Sequence, residues 1–308
     1  MEVDDHLNSL KAPKSISSII FDIFNHVLLG LFTLLCFFPI YYVFINTVSD
    51  NKLSSLGRVL FVPINIHFTN YVDVLKLQGL GQAAFMSVSR TVIGTLLTVI
   101  CTSFLGYTLS KPKMWHRKLW YRFVIISMYF NAGVIPWFVT MKMLGLTNNF
   151  LGYILPGVIS PFSLILFKTY VESLPGELEE SAQLDGAGII KTFALIVFPL
   201  CMPILATIAI FTSVGAWNSF IDTVLLMSKS QYFTLQFVLF QYLNEVNALA
   251  TMIRQGTINY AQIDTSVMLT PTAVRLTVTM VVTFPILLIY PFFQKFFIKG
   301  IMIGAVKG

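Results

Sequence analysis

Residues 177–188 read Glu-Leu-Glu-Glu-Ser-Ala-Gln-Leu-Asp-Gly-Ala-Gly, an acidic, water-seeking run in a chain that is 56% hydrophobic and 11% charged. An ordinary soluble domain carries about 25% charged residues. With 28 phenylalanines and a mean hydropathy of +0.78, the rest of the chain has too little polar surface to cover a core in water. Its solvent is lipid, and the run at 177–188 is an island between apolar segments.

A helix crosses about 30 Å of hydrocarbon with about 20 apolar residues. Working outward from the island, six segments meet that test: Val27–Val48, Thr91–Leu109, Phe123–Thr140, Phe150–Phe167, Phe193–Ile221 and Leu276–Phe293. Backbone groups in lipid must be satisfied internally, and continuous apolar runs lack the alternation of a barrel strand, so the expected fold is an all-α integral membrane protein. The polar start, MEVDDHLNSLKAPKS, has no signal-peptide core, and the first apolar segment reads as an uncleaved anchor.

Basic residues orient the spans. Lys111, Lys113, Arg117, Lys118 and Arg122 crowd the connection between the second and third segments, which places it in the cytoplasm. Both termini of a chain spanning the cell membrane are then expected in the cytoplasm, in keeping with Lys11, Lys14, Lys295, Lys299 and Lys307. The net charge of +6 is accounted for by this bias, without nucleic acid as a partner. The expected organisation is a cytoplasmic segment at 1–26, one membrane domain at 27–299 and a cytoplasmic tail at 300–308. Within the domain, a cytoplasmic loop spans 172–192 and an external loop 222–274. Gln236–Asn244 in that external loop is apolar enough for a helix.

At the island, Pro175 and Gly176 break the chain, and Glu177, Glu179 and Glu180 then fall in the first turn of a short helix, where they complement its dipole. Ser181 and Ala182 give a face small enough for close approach. Asp185-Gly-Ala-Gly188 ends the helix, with glycine free to take positive φ. Paired carboxylates there could suggest acid–base catalysis, but an exposed loop is the wrong setting for it.

The run Glu180-Ser-Ala-Gln-Leu-Asp-Gly-Ala187, with Phe193, Pro199 and Pro203 after it, resembles the EAA signature of ABC importer permeases. That signature reads E-A-A-x-x-D-G-A, then a phenylalanine six positions on and two spaced prolines; Ser181 in place of alanine is the departure. Asn131–Trp137 (NAGVIPW), Leu155-Pro-Gly157, Gly215-Ala-Trp-Asn218 and the tail Lys299–Gly308 are similar to the carbohydrate branch, in particular the smaller permease of maltose-type importers and the subgroup that takes complex oligosaccharides. The resemblance implies a type I ABC importer permease fold of six transmembrane helices with a cytoplasmic coupling helix. It implies that Glu180, Ser181, Ala182, Asp185, Gly186 and Ala187 dock on a partner ATPase. The implied assembly holds a second homologous permease, two ATPase subunits that bind ATP and Mg, and an external solute-binding protein that delivers an oligosaccharide. The chain itself has no G-x-x-x-x-G-K-[ST] run, so it is expected to bind no cofactor and to be no enzyme.

Trp217 and Asn218 offer an indole face for a sugar ring and an amide for its hydroxyls, against the alternative of helix packing. Asn131 and Trp137 invite the same reading. Pro199, Pro203 and Pro285 are expected to bend their helices. Arg90 and Arg275 read as external residues whose stems snorkel, and no ionisable residue reads as lying within a span, which argues against an ion-coupled carrier. Cys36, Cys101 and Cys201 read as small buried hydrophobes, and the four histidines show no metal spacing. A permease for a non-sugar solute, a stand-alone carrier and a membrane-embedded enzyme or receptor are the competing functions.

Overall fold

A computed structural model describes residues 16–254, Thr270 and 272–287. The expected N-terminal segment is described only from residue 16. The tail 300–308, the end of the sixth expected span and part of the long external loop lie outside the described residues. Helices are the regular structure of those described, with no strand among them.

The helices in chain order are α1 (Ile16–Thr47), α2 (Asn51–Ser55), α3 (Thr69–Leu75), α4 (Leu80–Ser110), α5 (Arg117–Tyr129), α6 (Val134–Met143), α7 (Leu151–Ile154, continued by a tight turn over Leu155–Gly157) and α8 (Pro161–Glu172). They continue with α9 (Glu177–Leu184), α10 (Ile189–Leu200), α11 (Met202–Asn218), α12 (Ile221–Leu226), α13 (Leu235–Arg254) and α14 (Thr272–Leu287). Helices α1 and α4 are each long and apolar enough to cross a membrane unbroken. The pairs α5/α6, α7/α8 and α10/α11 pass only when taken together, with bends of 118°, 49° and 79°.

The break in the third expected span has a local cause. Asn131 accepts the Gly133 amide on its side chain at 2.9 Å, and Gly133 takes a φ of 87°, a backbone state that a side chain would oppose. The apolar run Phe123–Thr140 therefore turns sharply instead of crossing straight. In the fifth span, a wide turn over Phe193–Val197 and prolines at 199 and 203 loosen the ladder, producing the expected bend. The expected apolar helix in the external loop is α13, and Pro285 lies inside α14.

The chain divides into two compact units, Met1–Tyr71 with Asp264–Thr277, and Val72–Ile263 with Val278–Gly308. In the first, α1 exposes Ile, Leu and Phe side chains along almost its whole length, as a helix bathed in lipid should. Cys36 is among its exposed residues, contrary to the buried position expected; Cys201 is buried. At its end, Asn46 donates to the carbonyls of Tyr42 and Val59 and accepts from Ser54, while Asn51 and Asn70 exchange side-chain bonds. This network ties down the connection that follows α1.

The second unit is organised around α4, which packs on α8 and α11. Tyr107, Phe167, Val171, Val197, Cys201, Leu205 and Ile208 form its core. Gly106 sets the closeness of the α4–α8 crossing, since a Cβ there would stand 2.8 Å from the Phe167 ring and 3.3 Å from the Leu164 carbonyl. Gly106→Val should therefore cost about 1–3 kcal/mol and lower the thermal unfolding midpoint in detergent. Gly81→Ala, in the same helix with nothing within 4 Å, should not. Equal midpoints for the two variants would contradict the packing described.

Candidate functional site

The short acidic run folds as α9, and its end is a Schellman turn. The Ala187 amide donates to the Ala182 carbonyl (2.9 Å) and the Gly186 amide to that of Gln183 (3.0 Å), with Gly186 at φ 79°. Ala182 is buried, whereas Glu180, Ser181, Asp185 and Gly186 are exposed and Ala187 is half-buried. Leu184 is 89% exposed, and Ile189 and Ile190 beyond the turn are also open. One face is thus polar and shallow with an apolar edge, suited to a protein partner.

The inner face is anchored electrostatically. Glu179 pairs with Lys111 at the end of α4, and the Lys111 ammonium lies 4.0 Å from the centre of the Tyr107 ring. Next to it, Arg117 pairs with Glu172, which also accepts from Lys168 at 2.7 Å, and Arg117 donates to the Leu109 carbonyl. Two residues of the basic connection 111–122, assigned by charge bias to the side that holds the island, thus pair with the segment leading into and through α9. The two share one end of the helices. At the opposite end, the Asn148 amide donates to the Leu226 carbonyl, and the Asn148 side chain accepts from Ser228 and Lys229.

A cavity of about 690 Å³ opens among α4, α6, α7, α8, α11 and α12. Trp137 lines it; Asn131, Trp217 and Asn218 do not. Trp217 is buried and donates its indole N–H to the Val282 carbonyl at 3.0 Å, joining α11 to α14. Asn218 accepts from Gln236, and Asn131 is spent on the Gly133 turn.

Arg90 departs from its expected place. Instead of reaching its stem out to water, it lies eleven residues into α4, 4% exposed, and pairs with Asp222 at 3.0 Å (Nη2 to Oδ2) and 3.4 Å (Nη1 to Oδ1). It sits over the Tyr153 ring at 4.6 Å. Tyr153 in turn donates to the Tyr232 carbonyl (2.7 Å) and lies 3.0 Å from Thr223 Oγ1. The sequence does not announce the pair, because Arg90 precedes the apolar run that begins at Thr91, whereas α4 begins at Leu80 and holds Arg90 inside the helix. A buried partner for a charge inside an apolar helix was the signal to seek.

Two helices long and apolar enough to cross a membrane, three bent apolar helix pairs and no strand among the described residues make this an integral membrane protein in class. The chain belongs to the family described as binding-protein-dependent transport system inner membrane component, which matches residues 94–303. It is 39% identical over 225 residues to Protein LplC of Bacillus subtilis (strain 168), covering 72% of this chain and 73% of that protein. To the polygalacturonan/rhamnogalacturonan transport system permease protein YtcP of the same organism it is 34% identical over 223 residues, covering 72% and 76%. The crystal structure of a bacterial ABC transporter involved in the import of the acidic polysaccharide alginate holds a chain that matches with a TM-score of 0.80 and 29% identity, over 93% of this chain and 100% of that one. The chain is an ABC importer permease, a transport subunit in a family of transport subunits.

Proposed function

We propose that this chain imports an oligosaccharide by alternating access, as one of two homologous permeases working with two ATPase subunits and an external solute-binding protein. ATP and Mg act on the ATPase. In this reading α9 is the coupling helix, docking through Glu180, Ser181, Asp185, Gly186 and Ala187 on the cytoplasmic side of the plasma membrane, with both termini on that side; Ala182, expected among the docking residues, is 6% exposed and packs behind that face.

The observation that carries the coupling role is the two-faced build of α9, whose inner side is tied to α4 through Glu179 and Lys111 while Leu184 and Asp185 stand free. A force applied to the outer face would reach α4 through a charged contact and the core around Tyr107, without depending on the flanking loops alone. Nucleotide-driven closure of the ATPases would then move α4, α8 and α11 and open the cavity outward; hydrolysis would reset it. The carbohydrate substrate is supported by the saccharide importers to which the chain is similar, and by a cavity of the size small-molecule sites have, about 300–1,000 Å³.

The test is purification of the tagged chain from membranes of cells that express it with its partners. A second permease and an ATPase should co-purify in fixed stoichiometry. A chain that transports in liposomes without them would be a carrier of another kind.

A further inference from the structure

Inside the cavity, the two oxygens of Asp222 are unequally used. Oδ1 accepts from Arg90 Nη1 (3.4 Å), Ser219 Oγ (2.9 Å) and the Thr223 amide (3.0 Å), whereas Oδ2, among the described residues, accepts from Arg90 Nη2 (3.0 Å) and from no second donor. An ionised carboxylate offers about four lone-pair sites across two oxygens, so Oδ2 retains an acceptor. The Asp222 side chain is 19% exposed and lines the cavity with Arg90 and Trp137. The guanidinium has five N–H donors, more than the carboxylate takes. A partly satisfied acceptor and spare donors thus sit beside each other on the wall, with Trp137 lining the same space.

Resting on the oligosaccharide reading, we propose that Asp222 and Arg90 read adjacent hydroxyls of one uncharged sugar ring held against Trp137 in this subunit. One hydroxyl donates to Asp222 Oδ2, and its neighbour accepts from Arg90. Such a vicinal pair fits a bidentate ion pair because donor and acceptor are already about 3 Å apart. The sugar is neutral because, of the described residues lining the cavity, Arg90 and Asp222 are the charged ones, and each neutralises the other. A uronate would bring a carboxylate to a wall with no uncompensated cation. The depth is also appropriate. Arg90 and Lys111 are about 30 Å apart along α4, so the pair lies near the face of the membrane opposite α9. The cavity extends from there past Gly94 to Thr98.

The experiment measures equilibrium binding of two radiolabelled probes, a neutral galactooligosaccharide and an oligogalacturonide of equal length, to the complete transporter without its solute-binding protein. The wild type should bind the neutral probe at least tenfold more tightly. Asp222→Asn should weaken that binding tenfold or more in complexes that still assemble. If Asp222→Asn does not assemble, the reversed pair Arg90→Asp with Asp222→Arg restores the ion pair. Assembly recovered with the sugar preference altered supports the proposal. Assembly recovered with wild-type binding makes the pair a strut and overturns it, as does undiminished binding by Asp222→Asn. Tighter binding of the oligogalacturonide by the wild type overturns the neutral-sugar assignment. Binding of neither sugar, with binding of a peptide instead, sinks the oligosaccharide reading itself and is recognisable by the wild type alone.

Discussion

Arginine at both Asp185 and Gly186 should separate the permease from its ATPase and reduce uptake by roughly 100-fold, the scale of losing about 3 kcal/mol at the centre of an interface. Asp185 and Gly186 stand at the exposed end of α9, and a Cβ at Gly186 would meet nothing within 4 Å. The bulk therefore projects into the space a partner would fill and leaves the permease interior untouched. The local cost is confined to Gly186, whose φ of 79° disfavours a side chain by about 1–2 kcal/mol. Gly186→Asn separates the two effects. Asparagine tolerates that backbone state, so this variant should keep the Schellman turn and retain most uptake. Co-purification of ATPase and sugar uptake into vesicles are the readouts, and intact association in the double-arginine variant would remove the coupling role from α9.

The second large effect is expected on the inner face. Lys111→Glu sets a carboxylate beside Glu179 and removes the ammonium from the Tyr107 ring, in a contact whose two side chains are 24% and 18% exposed. Coupling energies between such neighbours run to about 0.5–3 kcal/mol, enough to lower sugar moved per ATP about fivefold to tenfold. ATP hydrolysis should continue, because the docking face of α9 is unchanged. The reciprocal variant, Lys111→Glu with Glu179→Lys, should recover coupling to within about twofold. A single variant with unaltered coupling would mean that the flanking loops alone carry motion from α9 to α4.

Much of this architecture is legible in the sequence because lipid enforces a simple rule. Apolar runs near 20 residues have to be helices, which is why α1 and α4 were anticipated, and the spacing from Glu180 to Pro203 pointed to the family. Boundaries were less legible. The residues from Leu80 to Arg90 mix apolar and polar side chains, so the run read as a loop, although packing against protein instead of lipid allows it to be helix. Composition also hid the break at Asn131–Gly133, since an Asx turn flanked by apolar residues leaves the local hydropathy high.

At the candidate sites, the exposed residues of α9 could be read from local chemistry, because capping and positive φ depend on near neighbours. The pairs Lys111–Glu179 and Arg90–Asp222 join residues 68 and 132 positions apart, and no local pattern announces them. The two tryptophans show the same limit. Both suit a sugar by chemistry, yet the structure places Trp137 in the cavity and spends the Trp217 indole on the Val282 carbonyl.

The most direct test of the whole account is ATP hydrolysis by the reconstituted complex in the presence of its solute-binding protein, screened against oligosaccharides, peptides and lipids. Stimulation by a loaded oligosaccharide, lost in the double-arginine variant of α9, is the predicted result. A flat response to every sugar with stimulation by a peptide or lipid would contradict it.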